Sequence, residues 1–116
     1  MKLRDIDIVN HIIGYCDEIR DARNRFGDNP DSLKADKHYL NSVSMCILQI
    51  GELVDKLSDE FKVEYDKQPW HKMIKMRGKA AHWYGTFDSL VVWETITEFV
   101  PDLKAYCTSI LEKENG

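Results

Sequence analysis

Three residues close to position 80 have types and a spacing that suit chemistry on a phosphate ester. Arg77, His82 and Tyr84 follow the pattern Arg-x4-His-x-Tyr. An arginine guanidinium holds a phosphate through a rigid fork of N–H donors, and a histidine imidazole exchanges protons near neutral pH. We therefore interpret Arg77 and His82 as a candidate catalytic pair, with the Tyr84 phenol close by.

Helical geometry does not bring Arg77 and His82 together by itself. Positions five apart on an α-helix differ by about 140° around the axis and roughly 7.5 Å along it. A shared site needs long side chains that converge at a frayed helix end, or two copies that meet across a two-fold axis. The matching chemistry is cleavage of RNA at its 2′-hydroxyl, in which histidine moves protons, arginine stabilises charge and no metal is required.

Lysines surround this motif. Lys72, Lys75 and Lys79 lie with Arg77 within eight positions of a chain whose net charge is −4. Lysines on a helix often form only a solvated face, so a solvated surface and a substrate groove both stay open. On the second interpretation, Lys75 and Lys79 are candidate substrate-binding residues.

Two further residues are candidate substrate contacts. Trp83 either stacks on a base of the substrate or packs in a dimer, and Glu52 either lies near the site or forms a polar contact between helices. His11, His38 and His71 show no metal-ligand spacing with one another or with a cysteine. The sequence therefore predicts no metal site and no cofactor.

Length and composition predict a single domain over residues 1–116 in a soluble protein. Hydrophobic residues make up 43% of the chain and charged residues 31%. The pI of about 5.5 argues against non-specific binding of duplex nucleic acid. There is neither a signal-peptide pattern nor an apolar run of roughly 20 residues. The cysteines at positions 16, 46 and 107 are predicted to be free, buried thiols, so we expect a cytoplasmic location.

Hydrophobic periodicity predicts an all-α bundle of four or five helices, with no strand alternation. The predicted helices cover about 5–26, 35–57, a short segment capped by Ser58, a segment from about 69 to 82 or 84, and a last helix after Asp88. Ser32 is a plausible cap in the stretch after the first helix. Pro101 is expected to kink or split the last helix.

Two apolar stripes are predicted to face the core. The stripe of the first helix comprises Ile6, Val9, Ile13 and Cys16, widened by Ile12, Ile19 and Ala22. The stripe of the last helix comprises Val92, Ile96, Phe99, Leu103, Tyr106 and Ile110. Steps of three and four residues are typical of helices that bury one face.

The motif and its surroundings resemble the HepT type of HEPN-domain proteins, the toxin members of HepT–MntA toxin–antitoxin pairs. Arg-x4-His-x-Tyr is similar to the signature of that family. The flanking segments Ile-Gly-Glu at 50–52, Leu-Ser-Asp-Glu-Phe at 57–61, Pro-Trp at 69–70, Tyr-Gly-Thr-Phe-Asp at 84–88 and Pro-Asp-Leu at 101–103 are similar as well. The resemblance covers about residues 3–112.

The resemblance implies an HEPN-like, up-and-down helical bundle that forms a homodimer. It implies a metal-independent ribonuclease site in the dimer cleft, with Arg77 and His82 in the catalytic roles. It also implies that a partner antitoxin, an MntA-type minimal nucleotidyltransferase, transfers AMP from ATP to Tyr84. The added phosphate would place negative charge where the substrate phosphate binds.

One position departs from the family pattern. Gly78 stands after the arginine, where HEPN ribonucleases commonly have asparagine or aspartate. An alternative interpretation is therefore a non-catalytic helical dimer that binds the nucleotidyltransferase as a scaffold or presents Tyr84 to it. Growth arrest on expression, and its loss in His82→Ala, would separate the two interpretations.

Overall fold

The computed structural model describes residues 2–81 and 89–115, without the side chains of residues 76–81. Every regular element in this part of the chain is helical, which confirms the predicted all-α class. The elements are α1 (Leu3–Phe26), α2 (Pro30–Ala35), α3 (Lys37–Lys56), α4 (Asp59–Glu64), α5 (Trp70–Ala81), α6 (Ser89–Glu94), a π-helical turn (Thr95–Phe99) and α7 (Val100–Asn115).

Helix α3 lies at the centre of the packing. It contacts α1 on one side and α5 on the other, and α7 packs against α1. Val43, Ile47, Ile50 and Val54 of α3 follow one another at steps of three and four residues and are buried in the core. The short α2 joins α1 to α3 and also contacts α6.

The inward face of α1 differs from the predicted stripe. Ile8 and Ile12 are buried with Val9, whereas Ile6 and Ile13 are only half-buried. The centre of the stripe is displaced because α1 packs against both α3 and α7. Cys16, Ile19 and Ala22 are buried as expected.

The predicted cap at Ser32 is wrong. Asn29 caps α2, and its side-chain oxygen accepts a hydrogen bond from the Ser32 backbone N–H at 2.9 Å. Pro30 suits the first turn of this helix because its missing N–H needs no partner there. The Asn-Pro pair therefore starts this helix three residues before the predicted cap.

The predicted cap at Ser58 is confirmed, and a buried carboxylate supports it. The Ser58 hydroxyl accepts from the Phe61 N–H at 3.2 Å and donates to Asp5 at 2.7 Å. Asp5 is only 2% exposed and also accepts from the Ser58 N–H at 2.9 Å. The start of α1 is thereby joined to the start of α4.

Pro101 interrupts the last helix, as expected, and the interruption takes the form of a π-helical turn. The Val100 N–H donates to the Thr95 carbonyl, five residues back. Proline has no N–H and excludes the carbonyl four residues before it from a regular helix, so a wider turn is a natural accommodation. The chain then continues as α7 without a break.

The three cysteines are buried and free. Burial raises the pKa of Cys16, Cys46 and Cys107 to about 12 in each case. The thiols therefore stay protonated near neutral pH, as expected of small core residues. None of the described helices has the length and hydropathy of a membrane-spanning segment.

Candidate functional site

Helix α5 carries Arg77, and its start is well anchored. Trp70 is the first residue of the helix, directly after Pro69, which agrees with the predicted start. The Pro69 carbonyl accepts hydrogen bonds from the N–H groups of Lys72 and Met73 at 2.9 and 3.3 Å. The end predicted near His82 or Tyr84 lies outside the described residues.

A cluster of rings holds Trp70, and we call Phe61, Tyr65, Trp70 and Tyr106 the aromatic anchor. The Trp70 ring lies 5.8 Å from the Phe61 ring and 6.1 Å from the Tyr106 ring, measured between centroids. Its indole N–H donates to the Tyr65 carbonyl at 2.6 Å. With Trp70 only 5% exposed, the aromatic anchor fixes the first turn of α5.

The phenol of Tyr65 donates a hydrogen bond to Glu114 near the end of α7. This bond to the carboxylate, together with burial, raises the pKa of Tyr65 to about 12. The pKa of Tyr106 is raised as well, mainly by burial. Both phenol groups therefore stay protonated near neutral pH.

The two sides of α5 have different characters. Trp70 and Met73 are buried, and Met73 lies with Ile47 and Ile50 of α3 around a small apolar space. His71, Lys72 and Lys75 are exposed. Lysine on the outer side and apolar residues on the inner side make this helix amphipathic.

The backbone of α5 places residue 77 on the inner side. Arg77 follows Met73 by four residues and Trp70 by seven, so helical register puts these three positions on one side of the axis. Lys75, in contrast, belongs to the exposed side. Two cationic candidates that are two residues apart in sequence therefore occupy different sides of the helix.

The structure does not bring the remaining candidates together, because most of them fall outside what it describes. The side chains of Arg77 and Lys79, and residues His82, Trp83 and Tyr84 altogether, lie beyond the described part. Glu52 is half-buried on α3, the helix against which α5 packs. Their predicted roles stay predictions.

A second anchor follows the motif in the chain, at the π-helical turn. Arg23 of α1 reaches Asp28 with two hydrogen bonds, of 2.8 Å to Oδ1 and 3.3 Å to Oδ2. A third hydrogen bond of 3.4 Å goes to the Ile96 carbonyl, and the guanidinium lies 5.8 Å from the centre of the Trp93 ring. We call this group the arginine clamp.

The arginine clamp was not predicted from the sequence. In the sequence, Arg23 is one of several charged residues near the end of an amphipathic helix, and no local spacing relates it to position 96. The one local indication in the sequence is Pro101. Because proline has no N–H, a carbonyl of the preceding turn loses its hydrogen-bond donor. Which donor would replace that partner depends on the tertiary packing.

The described residues contain no group of three or more His, Cys, Asp or Glu side chains that could hold a metal ion.

Comparison with known proteins places the chain in a family. The family model of HepT-like ribonucleases matches residues 12–110. This range contains the whole helical framework from the middle of α1 to α7 and also the Arg-x4-His-x-Tyr motif. The chain belongs to the HepT-like ribonuclease family, which agrees with the HEPN-like bundle and the ribonuclease class that the motif resemblance implied.

Individual relatives agree with this assignment. A protein of Methanocaldococcus jannaschii, named provisionally as an RNase, is 32% identical over 113 residues, which are 97% of this chain and 96% of that protein. A protein of Thermococcus cleftensis, named provisionally as ribonuclease HepT, is 35% identical over 69 residues, 60% of this chain and 63% of the relative.

A provisionally named RNase of Caldanaerobacter subterraneus subsp. tengcongensis is 38% identical over 65 residues, 56% of this chain and 58% of the relative. The match therefore spans little more than half the length of this relative. No solved structure matches the chain significantly.

Proposed function

We propose that this protein is the toxin of a toxin–antitoxin pair and acts as a metal-independent endoribonuclease of the HEPN type. The observation that carries the proposal is that the family match over residues 12–110 includes an intact Arg77-x4-His82-x-Tyr84 motif. In this proposal the site is assembled in the cleft of a homodimer in the cytoplasm. The register of α5 is consistent with a composite site, because Lys75 and residue 77 lie on different sides of one helix.

The reaction uses the RNA 2′-hydroxyl as nucleophile. His82 takes the proton of that hydroxyl, or donates a proton to the leaving 5′-oxygen, while the 2′-oxygen bonds to phosphorus and the bond from phosphorus to the 5′-oxygen breaks. Arg77 stabilises the negative charge on the phosphoryl oxygens. DNA is not a substrate because it has no 2′-hydroxyl.

Four further residues contact the substrate in this proposal. Lys75, on the exposed side of α5, binds a phosphate away from the scissile one, and Lys79 extends the same contact. Trp83 stacks on a base. Glu52, half-buried on the neighbouring α3, completes the polar surroundings of the site.

Tyr84 controls the activity in this proposal. An MntA-type minimal nucleotidyltransferase, the antitoxin, transfers AMP from ATP to the Tyr84 hydroxyl and releases pyrophosphate. The attached phosphate then carries negative charge next to Arg77 and repels the substrate backbone. Silencing is therefore electrostatic and does not require the helical bundle to change.

A cleavage assay with a matched histidine control tests the ribonuclease. Purified wild-type protein is incubated with single-stranded RNA, and with DNA of the same sequence, in the presence of EDTA. We expect RNA cleavage only, and a loss of roughly 10²- to 10⁴-fold in His82→Ala. His71→Ala, an exposed histidine on α5, serves as the control and should keep full activity. Cleavage that survives in His82→Ala contradicts the assignment.

Gly78 supports a second candidate function. Because a polar residue at this position could orient the histidine or the phosphate, its absence favours a dimer that only presents Tyr84 to the nucleotidyltransferase. Intact RNA together with unaffected growth on expression of the wild type would establish this second function instead of the first.

Two measurements test the assembly and the modification. Light scattering should give the mass of a dimer, and a monomer at all concentrations would remove the composite site. Incubation with the partner nucleotidyltransferase and ATP should raise the intact mass by whole AMP units. A gain that persists in Tyr84→Phe would contradict the assignment of Tyr84.

A further inference from the structure

The outward side of α3 carries no charge over most of its length. From Tyr39 to Gly51 the helix has no charged residue, and the exposed or half-buried positions in this stretch are Leu40, Asn41, Ser42, Met45, Leu48 and Gln49. The exposed positions of α1, in contrast, include Arg4, Asp7, Glu18, Arg20 and Asp21. A helix side that combines exposed apolar residues with a lack of charge is typical of the core of a protein–protein interface.

Met45 lies at the middle of this side and is 48% exposed. Helical register places Asn41 and Leu48 on one flank of it and Ser42 and Gln49 on the other. The Gln49 amide lies 3.9 Å from the Met45 sulfur. Methionine is flexible and polarizable, and it is a frequent residue of binding surfaces. This side of α3 therefore presents one apolar side chain within an uncharged surround.

The neighbouring helix α1 has a cleft at Gly14, which is exposed near the middle of this 24-residue helix. Glycine is less stable than alanine in such a position. If a Cβ were added to it, no described atom outside its chain neighbours and the backbone of its own helix would lie within 4 Å. Asn10, His11, Tyr15 and Glu18 line the cleft, which we call the Gly14 cleft. Packing within the described part of the chain therefore gives no reason for a glycine at this position.

The contact between Glu18 and Cys46 fixes the register of α1 against α3. The Cys46 thiol donates to the Glu18 carboxylate at 3.4 Å. The two helices run antiparallel, since the start of α1 is bonded to the segment that follows α3. Gly14 lies four residues from this contact on one side, and Met45 lies one residue from it on the other. Five residues of helix rise separate Gly14 from Met45 by roughly 7.5 Å along the bundle.

We propose that the outward sides of α1 and α3 form the surface on which a second copy of this chain docks, with Met45 of each copy in the Gly14 cleft of the other. An interface with two-fold symmetry uses the same patch on both copies, so each must carry both the protruding and the receiving element. A two-fold axis between Met45 and Gly14 meets this requirement. The inference deepens the proposed function and rests on it, because the homodimer completes the site there.

The size and position of this surface suit a second copy. A helix of 20 residues such as α3 is about 30 Å long. Packed helices lie roughly 10 Å apart, so the outward sides of α1 and α3 form a strip about 20 Å wide. The strip covers roughly 600 Å², and stable interfaces bury roughly 600–1,000 Å² per partner. The uncharged stretch of α3 offers no side chain for RNA phosphates. Because α3 also packs against α5, a copy seated on α3 lies beside the helix that carries Arg77.

Two substitutions test the surface, and sedimentation equilibrium measures the dissociation constant of the dimer. Met45→Glu places a charge at the centre of the interface and should raise that constant at least roughly 10-fold. Val63→Glu is the matched control, since Val63 is an exposed apolar residue on α4, and should behave as the wild type. Gly14→Leu fills the cleft and should also raise the constant at least roughly 10-fold. Leucine is the better helix former and has open space, so this second variant keeps the fold of the single chain.

A disulfide tests the pairing directly. A chain that carries both Gly14→Cys and Met45→Cys should form a covalent dimer on mild oxidation, seen on a non-reducing gel, because the two positions meet across the axis. Within one chain they lie on different helices and at different heights, too far apart for a bridge. The wild type, whose three cysteines are buried, and each single variant should stay unlinked. Equal cross-linking in the single and double variants would contradict the pairing.

The outcomes separate this inference from the proposed function. If the wild type is a dimer and both Met45→Glu and Gly14→Leu keep its dissociation constant, the copies meet through another face and the inference is wrong, while the proposed function stands. If the wild type is a monomer and Met45→Glu abolishes binding of the nucleotidyltransferase, the surface docks the antitoxin and the inference is likewise wrong. A dimer that weakens as expected but cleaves no RNA supports the inference and rejects the ribonuclease.

Discussion

The aromatic anchor lies before the motif in the chain and the arginine clamp lies after it, and the two hold their helices by different means. At the start of α5, buried rings surround Trp70, and its indole N–H donates to a carbonyl only five residues earlier. At the π-helical turn, one partly exposed guanidinium bridges two distant helices. The first anchor depends on hydrophobic burial and the second on directed hydrogen bonds.

This difference determines what each anchor contributes. Burial of a tryptophan contributes much to the free energy of unfolding but tolerates small rotations of the ring. A forked set of hydrogen bonds contributes less free energy but fixes direction. We therefore expect the aromatic anchor to contribute more to stability and the arginine clamp to contribute mainly to the orientation of the π-helical turn.

Replacement of Trp70 tests the first half of this comparison and has the largest expected effect. Trp70→Ala should lower the free energy of unfolding by about 3–5 kcal/mol because it leaves a cavity among three rings. Trp70→Phe, which keeps a ring and loses the hydrogen bond to the Tyr65 carbonyl, should cost less than half of that. Urea unfolding followed by far-UV circular dichroism measures both. Equal losses in the two variants would show that the hydrogen bond, and not burial, is the main contribution.

Replacement of Arg23 tests the second half. Arg23→Met should lower the free energy of unfolding by only about 1 kcal/mol, since Asp28 is 53% exposed and water replaces part of the lost pairing. The same urea titration measures the loss, with Arg20→Met as the control close to the wild type. A loss as large as that of Trp70→Ala would remove the contrast between the two anchors.

The aromatic anchor could be partly predicted from the sequence, and the arginine clamp could not. Pro69-Trp70 marks a helix start by local rules, and Ser58 marks a cap, so both were placed correctly. Asp5 and Arg23 act on residues 53 and 73 positions away, which no local pattern contains. Long-range hydrogen bonds of this kind follow from packing and not from spacing.

The buried face of the last helix was also predicted only in part. Its stripe was predicted through Phe99 and Tyr106, yet Val100 and Cys107 are buried and the two aromatic residues are half-buried. Each residue of a π-helical turn advances less around the axis, so the inward position moves from residue 99 to residue 100. Leu103 and Ile110 are buried as predicted, and Cys107 widens the buried face between them. Pro101 predicted an interruption but not its form. The candidate residues of the site come from the sequence motif. The structure adds that residue 77 lies on the inner side of α5.

Alkaline pH should weaken the aromatic anchor. Tyr65 has a pKa raised from 10.0 to about 12 by its hydrogen bond to Glu114, so it holds its proton in the folded state after the unfolded chain has lost it. The unfolded state then binds fewer protons, and stability falls as pH rises from about 10 to 12.

Tyr65→Phe isolates this contribution. The three buried thiols titrate over an overlapping range, so total stability falls with pH in both proteins, and the test is the difference between them. Urea midpoints of wild type and Tyr65→Phe should converge as pH rises from 10 to 12. Parallel curves over that range would show that the bond to Glu114 does not distinguish the folded from the unfolded state.

The smallest expected effect is a coupling between Arg23 and Pro101, and it tests the reason for the clamp. Pro101→Ala restores an N–H and lets an α-helical turn replace the π-helical one, in which case the Val100 N–H can donate to the Ile96 carbonyl. Arg23→Met should then cost about 0.5–1 kcal/mol less in the Pro101→Ala background than in the wild type, since the carbonyl no longer depends on arginine. A double-mutant cycle from urea unfolding measures this difference. Strict additivity would mean that Arg23 stabilises the bundle through Asp28 and Trp93 alone, and that the open carbonyl is satisfied in another way.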